Sequence, residues 1–123
     1  MTNVNVKKMT TSELVERFVT IAINQDKAIF EEDNAEFRKL YVQMEAVRNE
    51  LKIRPGDRRK ALIPLLDHPN LQVRLKAAIT TLTVAPEPSR QVLQTIANSH
   101  RLPQAADAGL ILRGLNDGSF MPK

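Results

Sequence analysis

Apolar residues recur every three to four positions along most of this chain, and polar residues fill the intervals. In "TTSELVERFVTIAINQDKAIF" the positions Leu14, Phe18, Ile21, Ala22, Gln25 and Ile29 share one helical face, with a single polar lapse. The same spacing links Phe37, Leu40, Tyr41, Met44, Val47 and Leu51 and predicts a second long helix with these residues as its core stripe. No stretch alternates apolar and polar residues in the way a half-buried strand does. The pattern predicts an all-α protein of about six helices.

Local signals set the expected boundaries. Thr10 and Glu13 form a capping box for a helix over residues 12–31. Asp33 is placed to cap the second helix, with Glu36 three residues on. "RPGD" stops that helix, because Pro55 biases Arg54 out of the α region and Gly56 releases the chain. Asp57 is the expected cap of a third helix, "RRKALIPLLD", kinked or restarted at Pro64. Asn70 caps a fourth, "LQVRLKAAITTLTV". Pro88 and Pro103 fall in the first turns of a fifth and a sixth, where a missing N–H costs little. "NDG" closes the last helix. Residues 1–10 read as a flexible arm, 11–117 as a single helical domain and 118–123 as a frayed tail.

The third and fourth helices repeat in the fifth and sixth. A shift of 31 residues carries Pro55 onto Pro86, Arg59 onto Arg90, Leu62 onto Leu93 and Leu65 onto Ile96. It also carries Leu71 onto Leu102, Ile79 onto Leu110 and Ala78 onto Gly109. A fixed period of this size marks stacked helical repeats, in which each hairpin buries its apolar face against a neighbour. Ala77 and Ala78 are small where another helix is expected to come close.

The segment "DHPNLQVRLKAAITTL" resembles the HEAT repeat, in which an Asp-Pro-type turn precedes a Val-Arg pair and an Ala-Ala step. The resemblance implies an α-α superhelix of HEAT/ARM-like type, with the six helices as three stacked hairpins. It also implies that Asp67 and Arg74 pair or cap between layers. The second unit, "NSHRLPQAADAGLILRGL", departs from the pattern, since Gln104 and Ala105 stand where Val-Arg is expected. The layout as a whole resembles a family of small uncharacterised bacterial proteins, a domain of unknown function with a HEAT-like fold, over residues 11–117. That resemblance carries no catalytic residues.

Composition narrows the chemistry. Aromatic residues make up 4% of the chain and Trp is absent, so the core must be aliphatic. The chain has no Cys, which removes disulfides, thiol catalysis and Cys-ligated zinc together. No apolar run approaches the roughly 20 residues that span a bilayer. The start "MTNVNVKKMT" lacks the apolar core of a signal peptide. A soluble cytoplasmic protein without a membrane association is the expectation.

There is no Gly-rich phosphate loop, HExxH or GxSxG motif. His68 and His100 fall in interhelical turns. With Asp67 or Asp107 they could form only a sparse divalent site, and exposed turn residues are the alternative. Helix capping accounts for the acidic run from Glu31 to Glu36 without a metal. Ser12 and Ser89 sit where helix starts favour hydroxyls. The expectation is a protein that is not an enzyme and holds no cofactor or metal.

Charge supplies the remaining candidate. Residues 1–50 hold 7 basic and 9 acidic side chains, a net of −2, whereas residues 51–123 hold 11 and 5, a net of +6. Lys52, Arg54, Arg58, Arg59 and Lys60 cluster at one turn. Repeat stacking would align Arg58, Arg59, Arg90 and Arg101 along one basic edge. The function these features suggest is a protein-interaction module of immunity- or antitoxin-like kind, for an unknown protein partner. The alternative is nucleic-acid or phosphate-ligand binding through the basic ridge.

Overall fold

The computed structural model describes residues 5–123. Among them are five α-helices: α1 (Thr11–Phe30), α2 (Asn34–Ile53), α3 (Leu71–Thr81), α4 (Pro86–Ala97) and α5 (Gln104–Asp117). A 3-10 turn, Val6–Lys8, precedes α1, and a 3-10 run, Arg58–Asp67, separates α2 from α3. The described residues contain no strand, and the protein is all-α. The chain divides into two compact units, one ending at Ala61 and one beginning at Leu62.

In the first unit α1 packs against α2. Leu14, Phe18 and Ile21 of α1 and Leu40, Val47 and Leu51 of α2 are buried. Thr10 accepts from the Glu13 N–H at 3.0 Å, and Glu13 accepts from the Thr10 N–H at 2.8 Å, so the expected capping box is formed. Asp33 caps α2 by accepting from the Glu36 N–H at 3.0 Å. Tyr41, expected in the core stripe, is exposed.

Residues 5–10 are not a loose arm, and the expectation for residues 1–4 lies outside the described residues. Arg54 holds the segment by donating from Nη2 to the carbonyls of Val6 at 3.1 Å and Met9 at 2.6 Å. Its Nε donates to Glu50 Oε2 at 2.8 Å. One guanidinium therefore ties the end of α2 to the segment ahead of α1.

The expected third helix is 3-10 throughout. An α-helical turn would drive the Pro64 ring into the carbonyl of Lys60 and leave that carbonyl without its donor. Tighter 3-10 turns avoid that register.

In the second unit α4 packs against both α3 and α5, and α3 touches α5 more lightly. Asn70 caps α3 by accepting from the Val73 N–H at 3.0 Å. Helix α4 begins at Pro86, earlier than expected, because the prolines of its first turn have no N–H to satisfy. Ser89 is consequently not a cap. It lies fully buried one turn into the helix, with its Oγ 2.7 Å from Thr81 Oγ1 of α3. A second polar link joins α3 to α5, where buried Gln104 Nε2 donates to buried Gln72 Oε1 at 2.9 Å.

The tail is not frayed at its start. Gly118 closes α5 in the left-handed conformation (φ 82°), and the Phe120 N–H returns to the Gly114 carbonyl at 3.0 Å.

Candidate interaction surfaces

Arg59, expected on the basic edge, is buried in an ion pair. Asp57 adopts a left-handed backbone (φ 52°), which Asp tolerates better than most residues. The turn aims its carboxylate at Arg59. Arg59 Nε donates to Oδ1 at 2.8 Å and Nη2 to Oδ2 at 2.6 Å. The Arg59 side chain is only 3% exposed. The Arg59 hydrogen bond also holds the Asp57 carboxyl below its usual range, against a smaller opposing effect of desolvation. Arg59 is thus a structural ion-pair member and is unavailable to a partner. The neutralising carboxylate lies two residues before it, not at the i+4 position of a helix.

Arg58, Arg90 and Arg101 are exposed. Arg90 Nη1 donates to Asn116 Oδ1 at 3.3 Å, at the C-terminal end of α5. Arg101 stands at the opposite end, where its carbonyl accepts from the Ala105 N–H at 2.8 Å. A helix of 14 residues separates the two ends by about 20 Å. Arg90 and Arg101 therefore do not share an edge.

Asp67 and Arg74 do not pair. Arg74 Nη1 donates to the carbonyls of His68 at 2.9 Å and Pro69 at 3.2 Å, bracing the turn ahead of α3. Those carbonyls are nearer partners than the exposed Asp67 carboxylate. Both residues line a shallow groove of about 270 Å³ with Leu66, Gln91, Val92 and Thr95. His68 Nδ1 accepts from the Asn70 N–H at 3.0 Å, so this histidine shapes the same turn. Among the described residues no group of three His, Cys, Asp or Glu side chains is placed to hold a metal ion.

Ala77 and Ala78 are both fully buried, as small residues at a close helix contact should be. The helix around them is covered on nearly every side, Gln72, Thr80 and Thr81 included.

The period of 31 residues exposes a difference between α3 and α5. On α3, the face of Leu71, Leu75, Ala78 and Leu82 is buried. Of the equivalent residues, Leu102 lies in the turn ahead of α5, Ala106 and Arg113 lie on the side of α5 away from buried Gln104, Ala105 and Ala108, and Gly109 lies at the boundary between the two sides. Leu102, Ala106 and Arg113 are exposed, and Gly109 is half-buried. Leu110 beside them is 62% exposed and Leu102 is 76% exposed. A surface helix normally turns polar residues to this side. Here the outer side stays apolar for its first two turns. The sequence repeat contained this information, but the repeat alone does not say which copy of the face is covered.

On the flank of α5, desolvation raises the Asp107 carboxyl above its usual range, with Lys76 pulling it back. Asp117 is held low, first by its hydrogen bond with the Ser119 side chain. The first unit carries exposed apolar residues of its own, among them Phe30, 88% exposed at the end of α1, and Val42 and Ile53 of α2. Among the described residues, no helix is long and apolar enough to cross a membrane.

No curated protein matches this chain. A solved structure, the protein RPA1889 from Rhodopseudomonas palustris CGA009, is 43% identical. The match covers 98% of this chain and 100% of that one, with a TM-score of 0.94. Residues 12–116 match the family described as a domain of unknown function (DUF2019), and the chain belongs to that family.

Proposed function

We propose that the protein is a cytoplasmic, non-enzymatic protein-interaction module that meets its partner through the outer face of α5. The observation that carries this is the contrast between repeat-equivalent faces. Leu71 and Leu75 are buried on α3, while Leu102, in the turn ahead of α5, and Ala106, on α5, are exposed. Apolar surface left in water in this way is a common mark of a contact site. In a HEAT-like array the last helix offers the face that a further repeat would cover. The buried pairs Leu62 with Leu93 and Ala77 with Ala108, each one period apart, support that kinship.

Nucleic-acid binding is the weaker reading. Arg59 is committed to Asp57, and Arg90 and Arg101 stand at opposite ends of α5. A phosphate-binding surface would need those charges together.

Leu110→Glu tests the proposal. The residue is exposed, so the melting temperature should stay close to that of the wild type. Partners recovered with the wild type from the native host should be lost. A variant that keeps every wild-type partner would refute the assignment of this face. Retention on nucleic acid that weakens steeply between about 50 and 200 mM salt would favour the second reading.

A further inference from the structure

We infer that the end of the first unit where Lys7, Lys8, Lys52, Arg58 and Lys60 gather with exposed Ile53 is a docking surface for an acidic protein segment. The segment it fits carries carboxylates on either side of an apolar side chain. All six residues belong to the first unit, so the surface is complete within it and owes nothing to the face of α5.

Two stretches far apart in sequence meet there. Arg54 Nη2 donates to the carbonyls of Val6 and Met9, which lie on either side of the Lys7–Lys8 pair. The turn that carries the pair is itself closed. The Lys7 N–H donates to Asn5 Oδ1 at 3.0 Å, and the Met9 N–H to the Val6 carbonyl at 3.1 Å. The two lysines are thereby held beside the end of α2. Lys60 reaches back over the turn that follows α2, with its Nζ 3.8 Å from where a Cβ on Gly56 would stand. Lys52 is near enough to help hold the Asp57 carboxyl low, after the larger effect of Arg59.

The charge of this end is uncompensated. Residues 5–13 and 50–60 hold seven basic side chains and three acidic ones, a net of +4. Each of the three carboxylates is occupied: Glu13 closes the cap of α1, Glu50 takes Arg54, and Asp57 takes Arg59. The other five cations make no side-chain hydrogen bond or ion pair among the described residues. Four of them are exposed, and Lys52 is half-buried. Residues 14–49 hold five basic and seven acidic side chains, so the positive field of the hairpin is confined to this end.

Ile53 decides which anion fits. It is 69% exposed in the last turn of α2, next to Lys52. A phosphate backbone gives an apolar side chain nothing to bury against, and neither stretch holds an aromatic ring on which bases could stack. A protein segment with carboxylates around an apolar residue uses the lysines and Ile53 together, as a charged rim around an apolar centre.

The test titrates the isotope-labelled full chain with the peptide acetyl-Glu-Glu-Leu-Glu-Glu-amide and follows the backbone amide signals. Exposed charge pairs are individually weak, so a dissociation constant of about 0.1–1 mM in about 50 mM salt is the expectation. The shifted signals should centre on Lys8, Ile53 and Arg58. Lys52→Glu with Lys60→Glu should weaken binding at least about tenfold, and Lys7→Glu with Lys8→Glu at least about threefold. Arg58→Glu, alone, should cost about threefold and repeats the test if a double variant disturbs the fold. Arg38→Glu with Lys39→Glu makes the same change of net charge at exposed residues about 20 Å along α2, and should leave binding within about twofold. Ile53→Ser should weaken the leucine peptide about threefold and leave acetyl-Glu-Glu-Gly-Glu-Glu-amide unaffected.

No shifts up to about 5 mM peptide, well above the expected dissociation constant, overturn the inference. So does an equal loss in the Arg38 and Lys39 variant, no loss in the Lys7 and Lys8 variant, or an Ile53→Ser effect that is the same for both peptides. Parallel titrations use a DNA duplex and phosphatidylserine vesicles. Tighter binding to either, lost in Lys52→Glu with Lys60→Glu, would make this a phosphate surface and overturn its assignment to a protein segment. None of these outcomes bears on Leu110→Glu, which alone decides the role of α5.

Discussion

Arg59 and Asp57 form a two-pronged ion pair across a single turn, at 2.8 and 2.6 Å, with the guanidinium buried and the carboxylate partly open to water. The pair exists because Asp57 adopts a left-handed backbone and faces forward along the chain. Replacing Asp57 by Asn leaves a buried guanidinium without its counter-charge. Breaking a buried pair from one side is costly, and solvent reaching Asp57 reduces that to about 1–3 kcal/mol. The cost should depend on pH. Asp57 titrates below its unfolded value of about 3.9, so its contribution is complete above that pH and is lost as pH falls through the folded value. Urea titrations at neutral pH should separate Asp57→Asn from the wild type. As pH falls below about 3.9 and through the lower folded value, the two curves should draw together. A gap that does not change with pH would show that charge is not what the pair supplies.

The buried hydroxyl pair between α3 and α4 has a fixed direction. The Thr81 hydroxyl donates to the Ala77 carbonyl at 2.7 Å, which uses its single hydrogen, so Ser89 must donate to Thr81. Thr81→Val removes the acceptor and leaves a buried donor unsatisfied, at a cost of about 1–3 kcal/mol. Thr81→Val with Ser89→Ala removes both and should recover most of that loss. Equilibrium denaturation of the two single variants and the double closes the cycle. Additive losses would mean that the two hydroxyls act separately.

The helix ends were open to prediction because their causes are local. Thr10 with Glu13, Asp33, Asn70 and Gly118 each act within a few residues, and each holds the cap expected of it. What depends on coverage was not open to prediction. Arg59 and Arg90 are one period apart and chemically identical, yet one is buried and the other exposed. Arg74 matches the HEAT position, but two carbonyls lie within reach of its Nη1 and take the contact expected of Asp67. Thr80 is polar, and it is buried because α3 is covered on nearly all sides. The exposed face of α5 follows the same rule. Periodicity says that a face is apolar, and only the packing says whether anything lies against it.

Ala78 tests how closely α3 is covered. The residue is fully buried, so Ala78→Leu should overpack its site and cost about 1–3 kcal/mol. Thr83 is exposed, and Thr83→Leu should change stability by less than about 0.5 kcal/mol. Thermal melts of the two variants decide the matter. Equal and small shifts would mean that the Ala-Ala step leaves room for a larger side chain.

The two glycines inside α5 should respond to alanine in opposite ways. Alanine is worth about 1 kcal/mol over glycine in a helix interior. At Gly109 the added methyl group meets no atom, so Gly109→Ala should gain about 0.5–1 kcal/mol. At Gly114 the new Cβ would stand 2.7 Å from the Cβ of Phe120, which no packed structure tolerates. Phe120 must leave, and with it go the bond from its N–H to the Gly114 carbonyl and the burial of part of its ring. Together these losses match or exceed the helical gain, so Gly114→Ala should range from neutral to about 1.5 kcal/mol destabilising. Amide exchange supplies the direct readout, because the Phe120 N–H should lose its protection in Gly114→Ala and keep it in Gly109→Ala. Phe120→Ala shortens the side chain but keeps its Cβ, so it does not relieve the clash. Phe120→Gly does, and in that background Gly114→Ala should recover its helical advantage. If Gly114→Ala still destabilises when Phe120 is glycine, the tail is not what requires a glycine at this position.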